Sequence, residues 1–248
     1  MSTTQLFGIY YQCYKNPYAT YIGLSSIRKY YPSCTIILLS DNGYNYSELA
    51  KLFDCIYIHE TENLWLTYKE FETGGHIINS CKLIDRVSKA FTLCKEEYVM
   101  WFEDDVSINK PIADIFKYDI NGYNPNNIQS FSLPELKKKY NFIDIDKCYT
   151  ITGHGGSVYH KNNTLKAFEN KDIINDILVN WNNYKFPSDI GHDFMFSVII
   201  ILSEGTIGSY DGHNDWFYGI NNSLCVQHQF KAYYNIPLPN ELKYLVTE

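Results

Sequence analysis

Three consecutive acidic residues, Glu103, Asp104 and Asp105, follow the apolar run Val99–Phe102 and precede Val106. Neighbouring carboxylates repel one another, so stability alone gives no reason to place them at the end of a buried strand. Hard oxygen ligands in such a cluster suit Mg²⁺ or Mn²⁺, ions that share their coordination shell with substrate phosphates. An acidic turn with its charges in water is the alternative interpretation.

The composition limits the class of protein. The chain has 248 residues, of which 45% are hydrophobic and 17% aromatic, enough for the core of one large α/β domain. Its net charge is -7. An acidic chain without a basic stripe argues against nucleic acid as a partner. The longest basic run, Lys137–Lys139, is typical of a solvated helix face.

Cysteine usage and hydropathy indicate a cellular location. Seven cysteines occur singly and none forms a C-x-x-C pair, which predicts reduced thiols and argues against a cysteine-based zinc site. The first apolar run has no basic leader, and the longest apolar segment falls short of the roughly 20 residues that a membrane span needs. We therefore expect a soluble, cytoplasmic protein without a signal peptide or transmembrane segment.

Strand and helix patterns alternate through the first third of the chain. The strand-like runs are continuously apolar, which indicates burial on both faces, as in a parallel sheet. This order predicts right-handed crossovers and a Rossmann-like, mostly parallel, twisted sheet flanked by helices. The predicted strands are Leu6–Tyr11, Thr35–Ser40, Cys55–His59 and the run ending at the acidic residues, and the predicted helices are Pro17–Tyr31, Ser47–Phe53 and Ile77–Leu93.

The second half of the chain is less regular, and we predict a single domain with a smaller mixed region here. Its segments are a glycine-interrupted strand over Cys148–His160, helices at Leu133–Tyr140, Leu165–Phe168, Ile173–Trp181 and Asp189–Ser203, and short strands over 206–230. Ligands of parallel sheets bind beyond the carboxyl ends of the strands. Asp41 and the acidic triplet both follow predicted strands, so they should face one crevice.

Four segments, in this order, resemble the nucleotide-sugar-dependent glycosyltransferases of the GT-A fold. They are Tyr10-Tyr11 with Pro17–Tyr31, Leu38–Gly43, Trp101–Val106, and Gly155–Tyr159 followed by Gly191–Phe194. The resemblance implies one domain over 1–248, with a nucleotide-sugar-binding half (1–110) and an acceptor-binding half (111–248). It implies transfer from a nucleotide sugar, a UDP-sugar foremost, to a hydroxyl of a glycan, sugar or protein. The acidic motif departs from the family's common form, because Glu103 stands where that form has Asp.

The same resemblance implies a Mn²⁺ or Mg²⁺ cofactor. A divalent cation would neutralise the diphosphate leaving group. Asp105 is the first expected metal ligand and His228 the second, with a surface or core histidine as the alternative for His228. His213 competes with His228 for this role. Either Glu103 or Asp104 is expected to contact the donor ribose.

Asp193 is the candidate general base. It lies at the beginning of an apolar helix, whose dipole stabilises a carboxylate. An ionised carboxylate beside the acceptor hydroxyl could take its proton during attack, a role that fits transfer with inversion. Helix capping is the alternative, and Asp189 is the second choice as base.

Further donor contacts are expected from the first strands and from the glycine pair. Tyr10 and Tyr11 are expected at the nucleoside pocket, with one of them in the core. Asp41 would accept hydrogen bonds from the base or ribose, or serve as a turn residue. Gly155 and Gly156 would let the backbone approach the donor sugar, or form a β-bulge.

Lys82 and Arg86 lie one turn apart on the helix before the acidic strand. Either could contact phosphate or hold the acidic triplet in place. Surface pairing with Asp85 or Glu97 is the alternative.

Two other classes remain open from the sequence. One is a metal-dependent phosphoesterase or nucleotidyltransferase that uses the same carboxylates with His154, His192 and His213. The other is a non-catalytic nucleotide-sugar-binding protein of the same fold. An iron site from His213, Asp215 and His228 fits the spacing but leaves the acidic triplet unexplained.

Overall fold

The computed structural model describes residues 6–64, 76–123, 126–128, 132–153, 155–187 and 191–247. The strands are β1 (Phe7–Cys13), β2 (Ile36–Asp41), β3 (Ile56–Glu60), β4 (Tyr98–Glu103), β5 (Ser107–Ile108), β6 (Ile120–Gly122), β7 (Asn126–Asn127), β8 (Thr150–Ile151), β9 (Val158–His160), β10 (Ile207–Ser209), β11 (His213–Asp215) and β12 (Val226–His228). The helices are α1 (Pro17–Tyr30), α2 (Ser47–Leu52), α3 (His76–Leu93), α4 (Leu133–Lys139), α5 (Lys161–Phe168), α6 (Lys171–Val179) and α7 (Gly191–Leu202), with a 3₁₀ helix at Asn240–Leu245.

The main sheet has seven strands in the order β10-β6-β9-β4-β1-β2-β3. The strands β3, β2, β1 and β4 are mutually parallel, and β9 runs antiparallel between β4 and β6. The predicted α/β fold with a mostly parallel sheet is therefore confirmed. The register pairs Cys13 with Ser40 and Gln12 with Glu103, which brings the carboxyl ends of β1, β2 and β4 to one edge.

Local sequence explains the elements of the first half. Pro17 lies in the first turn of α1, where its fixed φ suits the helix and its missing N–H is not needed. Pro32 follows the helix end, because it disfavours helical geometry in the preceding residue. All residues of β2 are buried, as the continuous apolar run predicts. The observed bounds of α1, α3 and β3 lie within one residue of the predicted ones.

Core residues cover both faces of the main sheet. Successive strand side chains point to opposite faces, so Trp101 packs against Phe196 in one cluster and Phe102 against Tyr11 in the other. The smaller sheet, in the order β11-β12-β5, stands beside the end of β4. Among the described residues, no helix is both long enough and apolar enough to cross a bilayer.

The glycine-interrupted strand predicted over Cys148–His160 is present as two short strands, β8 and β9, with a loop between them. Gly153 and Gly156 have φ values of +150° and +91°, which side-chain-bearing residues rarely adopt. The glycines therefore bend the chain out of the sheet. The predicted helices of the second half are present as α4 to α7 with shifted ends, and residues 188–190 lie outside the described residues.

Candidate active site

The acidic triplet forms a turn in which the side chains of Asp104 and Asp105 point to different parts of the protein. Strand β4 ends at Glu103, and the amide of Val106 donates to the Glu103 carbonyl at 3.0 Å. The Asp104 carboxylate accepts bonds from β1, α1 and the loop between them. Asp105 instead lies on the side of the smaller sheet, where its carbonyl accepts the amide of Phe230 at 2.8 Å.

Glu103, Asp105 and His228 form a compact group. Each contributes one ligand atom, and these atoms lie within 4.8 Å of one another. Asp105 Oδ1 is buried without a hydrogen-bond partner among the described residues, and it lies 3.7 Å from His228 Nε2. A buried, unsatisfied carboxylate oxygen is costly unless a ligand completes it.

The smaller sheet delivers His228 to this position. Strand β5 follows directly after the acidic turn and pairs antiparallel with β12, which contains His228. Strand β11 pairs with β12 on its other side and places Asp215 opposite His228. Asp215 Oδ1 lies 2.8 Å from His228 Nδ1. Because the Asp215 carboxylate holds Nδ1 of His228, the other ring nitrogen, Nε2, faces Glu103 and Asp105. Many metal-bound histidines are held in this way.

The pKa shifts of this group reflect burial and crowded charge. Burial and the charge of Asp105 raise the pKa of Glu103. Burial by itself lowers the pKa of His228, but the bond to Asp215 and the charges of Asp105 and Glu103 outweigh it and raise the pKa to about 9. A cation at the centre of the group would relieve the repulsion between the carboxylates and displace the proton of His228.

The donor set fits a divalent cation. Two carboxylates and one imidazole combine the oxygen ligands that suit Mg²⁺ and Mn²⁺ with a nitrogen ligand, which suits transition metals better than Mg²⁺. His213 does not belong to this group. Its Nε2 lies 3.0 Å from the Gly155 carbonyl oxygen, whereas His228 is the histidine that lies together with Glu103 and Asp105.

The Asp104 carboxylate is hydrogen-bonded to other residues of the chain. Its carboxylate accepts hydrogen bonds from Thr20 Oγ1 at 2.9 Å, Tyr11 Oη at 3.2 Å, Asn16 Nδ2 at 3.3 Å and the Tyr14 amide at 3.4 Å. Burial nevertheless raises the pKa of Asp104 to about 7. The carboxylate thus connects the end of β4 to the start of α1.

A cleft of about 600 Å³ lies at the carboxyl ends of β1, β2 and β4. This is the edge where parallel sheets bind ligands. The cleft is lined by Gln12, Cys13, Tyr14, Asn16, Asp41, Asn63, Glu103, Asp104, Asp105, Lys231 and Tyr234. Asp41 and the acidic triplet do share one crevice, as the sequence predicts.

Lys231 and Tyr234 are site residues that the sequence analysis missed. Lys231 Nζ lies 3.7 Å from Asp105 Oδ2 and is about half exposed, at 55%. It places a positive charge at the wall of an otherwise acidic cleft. Its position three residues after His228 is the signal that could have identified it.

Asp41 and Arg86 form a buried ion pair. Arg86 Nη1 lies 2.5 Å from Asp41 Oδ1, and Arg86 Nη2 donates to the Glu62 carbonyl at 2.9 Å. Asp41 also accepts the Leu64 amide and Gln12 Nε2, each at 3.0 Å. Arg86 is thus paired with Asp41, and not with Asp85, Glu97 or the acidic triplet, which corrects the expected alternatives. Its buried guanidinium also lies 3.6 Å from the Glu60 carboxylate.

Lys82 lies on the surface of α3. Its ammonium contacts Glu62 at 2.5 Å, and both side chains are largely exposed. The two acidic residues expected as partners are engaged elsewhere: Asp85 is paired with Lys171 and Glu97 with His160. Lys82 does not line the described cleft.

Tyr10 and Tyr11 are both fully buried. The Tyr10 ring packs edge-on against Trp101, and the Tyr11 ring packs against Phe102. The two rings lie in the two opposite core clusters. They belong to the core, which corrects the expectation that one of them lines a nucleoside pocket.

Gly155 and Gly156 lie against the metal-ligating candidates. A Cβ on Gly155 would lie 2.6 Å from Val106 Cγ2 and 2.8 Å from His228 Cδ2. The Gly156 amide donates to the Trp101 carbonyl at 2.7 Å. Only a residue without a side chain fits at Gly155, since a Cβ would push His228 away from the group.

Asp193 lies in the first turn of α7, beside the same group. His192 Nε2 lies 3.2 Å from Asp193 Oδ1, and the His192 ring stacks on Trp101 at a centroid distance of 5.9 Å. Trp101 Nε1 in turn donates to Glu103 Oε1 at 3.0 Å. The negative charge of Asp193 contributes to the raised pKa of Glu103. Asp189 and His154 lie outside the described residues.

Comparisons with known proteins give structural likenesses. No family model matches the chain, and no curated protein matches it. One similar solved structure is a crystal structure of the galactosyltransferase LgtC in complex with donor and acceptor sugar analogs. Its sequence identity to this chain is 12%, the match covers 96% of this chain and 99% of that chain, and the TM-score is 0.48. For an active-site mutant of LgtC, the identity is 10%, the match covers 89% of this chain and 86% of that chain, and the TM-score is 0.46.

Proposed function

We propose that this protein is a metal-dependent glycosyltransferase, which moves a sugar from a nucleotide-sugar donor to a hydroxyl of a glycan, sugar or protein acceptor. UDP-sugars are the first donors to test. The observation that carries the proposal is the unsatisfied Asp105 Oδ1, buried beside Glu103 and His228 at the wall of a 600 Å³ cleft. The position of that cleft at the carboxyl ends of parallel strands suits a nucleotide.

In this proposal, Asp105, Glu103 and His228 hold Mn²⁺ or Mg²⁺, and Asp215 orients His228. The bound cation would offset the charge that develops on the diphosphate leaving group. Lys231 adds a positive charge on the cleft side of Asp105. Gly155 and Gly156 let the loop between β8 and β9 pack close to the ligands.

The proposal also assigns the general base: Asp193 takes the proton of the acceptor hydroxyl. Its carboxylate lies at the N-terminus of α7, where the helix dipole favours the ionised form needed by a base. Direct displacement with this base inverts the anomeric carbon. The anomeric proton coupling of the product, measured by NMR, tests this step. A product with the donor's configuration would remove Asp193 as the base of a single displacement.

A thermal-shift experiment tests the class. UDP-, GDP-, CMP- and dTDP-sugars are each added with Mn²⁺ and with EDTA. A ligand that binds only the folded state raises the melting temperature by mass action, and at about 100 times its Kd the shift is roughly 5 °C or more. We expect one nucleotide series to shift the wild type in Mn²⁺ only.

Asp105→Asn is the matched control, because it keeps the side-chain shape and removes the charge. It should melt as a folded protein and show no metal-dependent shift. No shift of the wild type with any donor would overturn the proposal. Release of inorganic phosphate from a phosphomonoester would instead favour the phosphoesterase class.

A further inference from the structure

A loop of exposed aromatic residues joins β11 to β12. Within Trp216–Ile220, the side chains are exposed by 40% at Trp216, 64% at Phe217, 85% at Tyr218 and 53% at Ile220. We call this segment the aromatic loop. Large apolar residues grouped at the surface mark interaction sites more often than isolated ones do.

The aromatic loop is held by a dedicated buried residue. Gln227 is fully buried, and its Nε2 donates to the carbonyls of Trp216 at 3.0 Å and Gly219 at 2.7 Å. Its Oε1 accepts the Asn221 amide at 2.9 Å and Asn109 Nδ2 at 3.1 Å. A buried amide that uses both donors and both lone pairs fixes the backbone around it. The rings are therefore presented on an ordered loop, at a low entropic cost for a ligand.

The aromatic loop begins at the candidate metal group. Asp215, the support of His228, directly precedes it. The Trp216 amide donates to the His228 carbonyl at 3.0 Å. The aromatic loop therefore leaves the smaller sheet directly beside His228.

The stretch of chain that carries the aromatic loop favours a neutral occupant, because it has no Lys or Arg between residues 186 and 230. Lys110 lies beyond the loop, where its ammonium donates to the Ser223 carbonyl at 2.7 Å. Anionic lipid surfaces and nucleic acids are bound through clusters of Lys and Arg, and such a cluster is missing from this stretch of sequence. Neutral sugars present apolar C–H faces that pack on aromatic rings.

We propose that the aromatic loop is a glycan-binding platform, and that it holds the acceptor of the transfer reaction. Its role as an acceptor site rests on the proposed function, whereas binding of a neutral glycan does not. The rings of Phe217 and Tyr218 supply the packing surface, and Gln227 keeps the loop in its binding shape.

The experiment is binding of the purified protein to a printed array of neutral glycans, with and without Mn²⁺. The best-bound oligosaccharide is then titrated in solution. We expect the double variant Phe217→Ala/Tyr218→Ala to bind it roughly ten-fold or more weakly, since aromatic side chains at the centre of a contact carry much of its affinity. Tyr218→Phe should retain most of the affinity, because the ring face is kept.

Tyr244→Ala is the matched control, since Tyr244 is 67% exposed and lies in the 3₁₀ helix outside this loop. It should bind the glycan as the wild type does. All of these variants should keep the wild-type melting temperature, because the substituted rings are exposed. In a transfer assay with a nucleotide sugar, the double variant should raise the KM for the acceptor.

The outcomes separate the platform from the proposed function. Loss of nucleotide-sugar turnover with retained, loop-dependent glycan binding rejects the enzyme and keeps the platform. A wild type that binds no neutral glycan on the array overturns the platform. Equal glycan binding by the double variant and the wild type does the same. Loop-dependent binding to vesicles of phosphatidylcholine and phosphatidylglycerol without glycan binding would also overturn it, in favour of a membrane contact.

Discussion

Asp41 and Asp105 lie at two corners of one cleft and differ in how their charge is satisfied. Both are buried, with exposures of 2% and 6%. Asp41 accepts hydrogen bonds from Gln12, the Leu64 amide and Arg86. Asp105 Oδ1 has no hydrogen-bond partner among the described residues, and the nearest cationic groups stand 3.7 Å from its carboxylate.

The difference separates a structural carboxylate from one available to a ligand. The guanidinium of Arg86 balances Asp41 from within the chain, so this corner is complete without a ligand. Asp105 faces another carboxylate, and its nearest cationic groups, on His228 and Lys231, stand 3.7 Å away, so its charge is less closely balanced than that of Asp41. The same residue type at the same sheet edge therefore has opposite consequences for stability and binding.

The largest expected effect is that of Asp105→Asn. We expect Mn²⁺ binding to be lost and sugar transfer to fall by about 10³-fold or more, because the metal supplies the main charge stabilisation of the leaving group. Titration with Mn²⁺ followed by EPR, together with a transfer assay, measures both. The metal-free variant should melt at or above the wild-type temperature, since it loses a buried, unsatisfied charge. A marked fall in that melting temperature would show that Asp105 is a structural residue like Asp41.

Asp41→Asn should act on stability. It removes the closest counter-charge of the buried Arg86 guanidinium, which keeps Glu60 at 3.6 Å; breaking a buried ion pair typically costs about 3–5 kcal/mol of unfolding free energy. Urea denaturation measures this cost. Mn²⁺ affinity of the fraction that remains folded should stay within about three-fold of the wild type, because Asp41 does not belong to the metal group. If an Asp41→Asn protein stays stable but loses Mn²⁺ binding, Asp41 is not the structural carboxylate that this contrast with Asp105 requires.

Asp215→Asn tests whether the Asp215 carboxylate positions His228 as a metal ligand. Loss of the carboxylate behind a metal-bound histidine typically lowers metal affinity by about 10- to 100-fold. Isothermal titration with Mn²⁺ at fixed pH measures the change. Asp211→Asn, which alters a nearby exposed carboxylate outside the group, is the matched control and should bind as the wild type does. Equal affinities of the two variants would remove Asp215 from the site.

Lys82→Ala should have the smallest effect. Among the described residues, Lys82 is paired with Glu62 at the surface, and exposed ion pairs contribute little. The melting temperature, Mn²⁺ affinity and donor binding should all match the wild type. A large loss of donor binding in this variant alone would restore Lys82 as a phosphate contact.

The sequence predicted the regular half of the fold well. The helix from Pro17, the buried run of β2 and the helix ending at Leu93 are signalled locally, by proline, by continuous apolarity and by helical periodicity. The interruption of the strand over Cys148–His160 was predicted from its glycines, but the length of the loop between β8 and β9 was not, because it depends on the positive φ values of Gly153 and Gly156. Asp105 and His228 were named together from the family resemblance, and the structure places them beside Glu103.

The sequence by itself determined that strands and helices alternate, and that three acids follow the strand ending at Phe102. Those features depend on neighbours along the chain. Only the tertiary structure decided that Asp104 turns to α1 while Asp105 turns to His228, and that Arg86 neutralises Asp41. The pairing of β5 with β12 joins segments more than 100 residues apart, and such contacts depend on packing and charge balance across the whole sheet edge. The sequence names the acids, but the groups that surround each of them in the fold decide which carboxylate is balanced from within the chain.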